Sequence, residues 1–244
     1  MISFESNQRF LVTGASSGIG RCTALLLNSL GATVIGCSRD NLGLEEVRRQ
    51  AVNPDNFFIE ARDLSQNLDG LPSFVTEIRT KYGRLQGLVY SAGIPCIEPL
   101  RVTKSSKMEK LLKVHYEAPL MLIKGFSDRR NHEASNPSVV VIASAGAHSC
   151  DPGMSSYAAS KGAVISACKS AARELAGQGL RINTLSPTLI ETKMADPLAR
   201  KYAEGRYPFG LGQPEDVANF AVFLLSDKTK WITAQDFIID CGAV

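Results

Sequence analysis

The sequence predicts a single doubly wound α/β fold, one parallel sheet of seven strands with helices on both faces. Three observations carry that expectation. Short apolar runs alternate with helix-period segments along the 244 residues, the pattern of successive βαβ units. The first run, Phe10-Leu11-Val12, passes directly into Thr13-Gly-Ala-Ser-Ser-Gly-Ile-Gly20, which opens a helix. The run Val139-Val140-Val141-Ile142-Ala143 is unbroken and reads as a buried strand.

Glycines between a strand and a helix let the backbone approach a pyrophosphate, which the helix N-terminus attracts. Gly14, Ser16, Ser17, Gly18, Ile19 and Gly20 are therefore candidate dinucleotide contacts, with a ligand-free turn as the bland reading. The spacing Gly-x-x-x-Gly-x-Gly is not the usual Gly-x-Gly-x-x-Gly, and no Gly-Lys-Ser/Thr follows to make a Walker loop. Ile19, Cys22, Leu26, Leu27 and Leu30 keep the 3.6-residue period, and Gly31 is expected to end that helix.

The second strand, Thr33 to Cys37, leads into Ser38-Arg39-Asp40. At this strand end an acid hydrogen-bonds the ribose 2′-hydroxyl, while an arginine accommodates a 2′-phosphate. Ser38 and Arg39 thus favour NADPH over NADH. Asp40 blurs the choice unless, with Asn41, it caps the next helix. Arg39 as a solvated loop cation is the competing reading.

Phe57-Phe58-Ile59 is the third strand, with Asp63-Leu64 just past its end, and a helix is expected from about Pro72 to Tyr82. Leu88-Val89-Tyr90 is the fourth strand. It ends in Ser91-Ala92-Gly93, small enough for a flat ligand to approach the backbone, although a plain tight turn uses such residues too. A long helix is expected from Lys104 to Phe126, kinked where Pro119 removes a donor. The 139–143 strand ends at Ser144, on the edge where open α/β sheets bind ligands. The helix from Tyr157 to about Ala176 is rich in alanine and suits a subunit interface. Arg181 to Leu185 is the sixth strand, and 187–212 reads as a proline-rich active-site loop. Pro214 opens a last helix, and Phe237-Ile238-Ile239 is the seventh strand. No boundary or repeat divides the chain, so residues 1–244 are expected to form one domain.

Tyr157 and Lys161 stand four apart and share one helix face. A phenol titrates near ~10, and a fixed ammonium beside it is expected to lower that value. Taken alone, Tyr-x-x-x-Lys is ordinary helix surface.

Composition is that of globular material, 44% hydrophobic and 21% charged, with a net charge of +3. That charge is too small to argue for nucleic acid, and no apolar run reaches membrane-spanning length. Six scattered cysteines and three histidines give no metal-ligand spacing, so no metal site is expected, and reduced thiols suit the cytoplasm.

Thr13-Gly-x-x-x-Gly-x-Gly, Ser144 and Tyr157-x-x-x-Lys161, in that order, make the chain resemble a short-chain dehydrogenase/reductase, closest in look to 3-oxoacyl-[acyl-carrier-protein] reductases. The resemblance implies a Rossmann-like sheet and a Ser-Tyr-Lys site. Ser144 would hold the carbonyl oxygen, Tyr157 protonate it, and Lys161 tune the phenol and hold the nicotinamide ribose. It also implies Asp63 at the adenine and Pro187, Ile190 and Thr192 at the nicotinamide carboxamide, with a dimer or tetramer as the assembly. His115 stands where many members carry an active-site asparagine; it is either a packed histidine or a neutral acceptor for a water linked to Lys161. Further departures are Ser91 for the usual asparagine and Pro187-Thr188 for Pro-Gly. The substrate is a small or carrier-bound carbonyl compound, a thioester ketone or a sugar ketone among them. Pocket candidates are Ile94, Pro95, Cys96, His148, Met154, Met194, Tyr202 and Tyr207. Arg129, Arg130 and Arg173 either meet an acidic carrier or are solvated surface. A cofactor-binding scaffold without activity is the rival, as is an epimerase or dehydratase of the related longer branch.

Overall fold

The apolar runs become strands in the computed structural model, which describes residues 1–192, 200–201 and 205–243. The strands are β1 (Arg9–Thr13), β2 (Thr33–Ser38), β3 (Phe57–Ala61), β4 (Gly87–Tyr90), β5 (Ser138–Ile142), β6 (Arg181–Pro187) and β7 (Asp236–Ile239). All pair in parallel, in the order β3-β2-β1-β4-β5-β6-β7. Strand order reverses at β1, so a crevice opens beyond the C-terminal ends of β1 and β4, the ligand position in such sheets.

Helices α1 (Gly18–Ser29), α2 (Asn41–Gln50), α3 (Leu71–Tyr82), α4 (Ser105–Leu112), α5 (Ala118–Phe126), α6 (Gly146–Ser149), α7 (Ser155–Leu175) and α8 (Pro214–Leu225) join them. Alternate residues of each strand point to opposite faces. Phe10, Val12, Val34 and Val140 pack with Leu27, Leu44 and Val217 of α1, α2 and α8. Leu11, Ile35, Val139 and Val141 pack with Val75, Leu122 and Val164 of α3, α5 and α7. Burial on both faces is why these strands read as continuous apolar runs. Local signals act as expected. Gly31, at φ +102°, ends α1, and Asp40 caps α2 by accepting from the Gly43 N–H at 2.9 Å.

One expectation is corrected. The helix over 104–126 is not a single α-helix kinked at Pro119. It is α4 and α5 joined by a π turn, Lys113–Glu117, with Pro119 in the first turn of α5. Pro119 cannot donate to the carbonyl of His115 four residues back, and the wider turn replaces the α bond lost there.

Among the described residues no helix is long and apolar enough to cross a membrane. All six cysteines are unpaired.

Candidate active site

The glycine-rich turn is built by close backbone approach. Gly14 has φ +65°, and a Cβ there would stand 2.8 Å from the carbonyl oxygen of Ser91. A Cβ on Gly20 would stand 2.4 Å from the Gly14 carbonyl oxygen. Only glycine fits either place. The end of β4 is tied to the end of β1 by Thr13, whose Oγ1 accepts from the N–H groups of Ser91 (3.1 Å) and Ala92 (3.4 Å). Ser17, the N-cap of α1, makes no side-chain cap bond, which leaves first-turn N–H groups for an anion. Thr192 closes from the far side of the chain, its Cγ2 3.2 Å from where a Gly18 Cβ would lie.

At the next strand end, Ser38 Oγ is 2.8 Å from Ser16 Oγ and accepts from the Asp40 N–H at 3.0 Å. Arg39 is exposed and makes no ion pair among the described residues. Burial works against the Asp63 carboxylate, but two hydrogen bonds from Ser65, with the charges of Arg39 and Lys110, hold its carboxyl below the ordinary value. Leu64 is buried beside it, and Ser91, Ala92 and Gly93 line the end of β4 half-exposed. These residues fit a dinucleotide: a Cβ-free turn at a helix N-terminus, a strand end carrying an unpaired guanidinium, and small residues between.

The chemical group lies across the crevice. Ser144 follows β5 by two residues, and its Oγ accepts from the Gly146 N–H at 3.1 Å, which fixes its rotamer. Its hydroxyl faces that of Tyr157 closely enough to act on the phenol. Pro187 supports the same turn, its carbonyl accepting from the Ala145 N–H at 2.9 Å. Lys161, only 5% exposed, donates to the carbonyl of Ile142 at 2.8 Å. Burial pulls its pKa down to about 8. Burial also raises the Tyr157 phenol, with the nearby Ser144 side chain opposing. In this arrangement the Lys161 ammonium is turned to the Ile142 carbonyl.

His115 reaches the site with both nitrogens engaged. Nε2 accepts from the Ile94 N–H at 3.1 Å, so the proton sits on Nδ1, which donates to Ser160 Oγ at 2.9 Å. Ser160 in turn donates to the Tyr157 carbonyl at 2.8 Å, and the imidazole meets the Tyr157 ring edge-on at 5.3 Å. Burial, then the Lys161 charge, keeps the ring neutral, well below its ordinary pKa. The nitrogen expected to accept from a lysine-linked water is occupied by Ile94. His115→Leu leaves the Ile94 N–H without its acceptor, at about 1–3 kcal/mol, and takes from Ser160 Oγ the donor it accepts from, while its own bond to the Tyr157 carbonyl remains. It is therefore expected to lower the unfolding midpoint, with His115→Asn losing less. Neither substitution should move the acid limb of a pH–rate profile; a limb that moved would restore a titrating role.

The pocket candidates separate. His148 turns away to Asp236 of β7, Nε2 to Oδ2 2.7 Å, and Asp236 also accepts from Thr184 and Ser186. Cys96 is buried and Pro95 exposed. Met154 packs on Gly146, and Tyr207 pairs with Thr188 at 2.7 Å. Ile190 is buried, bridged to Gly212. Met194 and Tyr202 lie outside the described residues. Arg129 and Arg130 sit near Asn131, whose carbonyl accepts from the Leu85 N–H ahead of β4, toward the N-terminal ends of the strands and away from the site; Arg130 is held by Asp128. Thr13, Ser160 and Asp236 were not singled out as site residues in the sequence, since a hydroxyl or acid on a buried element shows no signal until its partner is placed.

Comparison with known proteins agrees with this geometry. A family model described as enoyl-(acyl carrier protein) reductase matches residues 14–244. A 3-oxoacyl-[acyl-carrier-protein] reductase FabG from Thermotoga maritima is 36% identical over 246 aligned residues, covering 96% of each chain. Among solved structures, a short-chain dehydrogenase/reductase from Brucella melitensis, described as a glucose/ribitol dehydrogenase, superposes with TM-score 0.91 at 26% identity, covering 100% of this chain and 99% of its own. A short-chain dehydrogenase from Burkholderia cenocepacia in complex with NADP superposes with TM-score 0.90 at 27% identity, covering 98% of each chain. With sheet order, glycine turn and Ser144-Tyr157-Lys161 already in place, the chain belongs to the short-chain dehydrogenase/reductase family and is an NAD(P)-dependent oxidoreductase acting on a CH–OH/C=O pair.

Proposed function

We propose that the protein reduces the ketone of a 3-oxoacyl thioester to the 3-hydroxy compound, with NADPH preferred over NADH. The observation that carries this reading is the hydroxyl pair of Ser144 and Tyr157, in a chain 36% identical to a 3-oxoacyl-[acyl-carrier-protein] reductase. The bound nicotinamide supplies the hydride. Ser144, held by Gly146, donates to the carbonyl oxygen, and Tyr157 gives its proton to that oxygen as it gains alkoxide character. Lys161 leaves the Ile142 carbonyl to hold the ribose hydroxyls and to ease the loss of the phenol proton. His115 positions the 91–97 loop and the start of α7 and takes no proton. Gly14, Ser16, Ser17, Gly18, Ile19 and Gly20 hold the pyrophosphate, Asp63, Leu64, Ser91, Ala92 and Gly93 the adenosine, and Pro187, Ile190 and Thr192 the carboxamide. The reading includes a single domain, work in the cytoplasm and a homo-oligomer formed through α7.

The test is NADPH oxidation with acetoacetyl, crotonyl and keto-sugar substrates side by side. Turnover of the acetoacetyl thioester alone supports the reading. Turnover of the crotonyl thioester or the keto sugar alone would replace it.

Arg39 decides the cofactor. Loss of a charge-assisted phosphate contact costs about 1.5–3 kcal/mol. Arg39→Ala is thus expected to weaken NADPH by roughly tenfold or more and NADH hardly at all, by fluorescence titration; equal losses would return Arg39 to the solvated surface.

A further inference from the structure

The segment that leaves the site from Ile94 carries an unusual surface. Between residues 97 and 113 stand five cations, Arg101, Lys104, Lys107, Lys110 and Lys113, against two acids, Glu98 and Glu109; this surplus equals the net charge of the whole chain, +3. None of the five makes an ion pair among the described residues. Three of them, Lys104, Lys107 and Lys110, line a cleft of about 360 Å³ together with Val102, Ser106 and Glu98. Glu98 lines the same cleft, and its Oε1 is shielded from solvent and has no hydrogen-bond partner. A buried acceptor without a donor is costly, and the neighbouring ammonium groups do not satisfy it.

The cleft is joined to the active site by a short, fixed path. Ile94 is held by His115, and Glu98 donates its N–H to the Gly153 carbonyl at 2.8 Å, just before α7 begins. Glu98 is four steps along the chain from Ile94, so the two lie within about 14 Å. A ligand bound there needs an anion for the lysines, an N–H or O–H for Glu98, and a flexible linear body leading to Tyr157. A phosphate ester on an amide-containing arm meets all three requirements. A second copy of this chain does not, since it would bring the same cations against their own kind.

We propose that this cleft holds the phosphopantetheine arm of the thioester substrate, its phosphate against Lys104 and Lys107 and an arm hydroxyl or amide against Glu98. The proposal rests on the 3-oxoacyl thioester reading above. Carrier-bound and coenzyme A-bound substrates share this arm, and the experiment separates them.

Initial rates are measured with one acetoacetyl group on three carriers: acyl carrier protein, coenzyme A and N-acetylcysteamine, the last without a phosphate. Lys104→Gln/Lys107→Gln is expected to raise KM for the two phosphate-bearing substrates by about tenfold, a value reduced for solvent exposure. The N-acetylcysteamine thioester and NADPH affinity should not change. Glu98→Leu, with the lysines intact, should raise KM for the same two substrates; a fall would mean that Glu98 merely repels the phosphate and would remove it from the site. The wild-type preference for phosphate-bearing substrates should shrink with added salt. An effect confined to the carrier protein would move the lysines to protein docking and overturn the arm assignment. Equal losses on all three substrates, no loss on any, or weakened NADPH would overturn it as well. If wild type reduces none of the three thioesters, the proposed function fails instead.

Discussion

Replacing Tyr157 by Phe is expected to lower turnover by ~10²–10⁴-fold, the usual contribution of a positioned general acid. The ring packs edge-on against His115, and that contact survives loss of the hydroxyl. Cofactor affinity and fold should therefore stay near wild type. The Ser144 hydroxyl loses its neighbour, so Ser144→Ala added to Tyr157→Phe should cost little more, because the two act as a unit. Single-turnover rates with saturating NADPH measure both. A Phe variant with wild-type turnover would remove Tyr157 from the chemistry.

Lys161→Met is expected to abolish most turnover while leaving the cofactor-free protein as stable as before, or more so. The folded ammonium titrates near 8, against an ordinary value of 10.5, because it is buried. Below pH 8 both folded and unfolded chains carry the proton, and the cost of burying it is present in full. Between pH 8 and 10.5 the unfolded chain still binds a proton that the folded chain has shed, so stability rises with pH across that window. A shift of this size corresponds to about 3 kcal/mol; the Ile142 carbonyl, left without its donor, gives back about 1 kcal/mol. Wild type should therefore gain on the Met variant as pH rises from 8 to 10.5 in parallel denaturant titrations. A flat difference would show that the charge is already compensated in the fold.

Much of this was legible in the sequence because local rules were enough. The strand–glycine–helix order around Gly14, the cap at Asp40 and the apolar runs each depend on neighbours in the chain. Ser144, Tyr157 and Lys161 were legible by spacing, since a strand end and a helix face set their directions. The partner of Lys161 was not, because the Ile142 carbonyl is an atom that every residue has. The engagement of His115 was equally hidden: it needs Ile94, Ser160 and a π turn together. His148 reads as a pocket residue from its place after Ser144, but the acid that turns it aside lies 88 residues later in the chain. Side chains whose roles depend on one distant partner carry no periodicity to betray them.

The π turn has a consequence for the length of the chain. An α-helix turns 100° per residue, and a π turn accommodates one residue more in its circuit. Leu111 before the turn and Ala118 and Leu122 after it are all buried, so the core is met on both sides of the turn. Removing one residue anywhere else in α4 or α5 would swing the following face through about 100°. Removing one from 113–117 would return the wide turn to α geometry and shift His115 against Ile94 and Ser160. What the additional residue provides is the placement of an imidazole between Ile94 and Ser160.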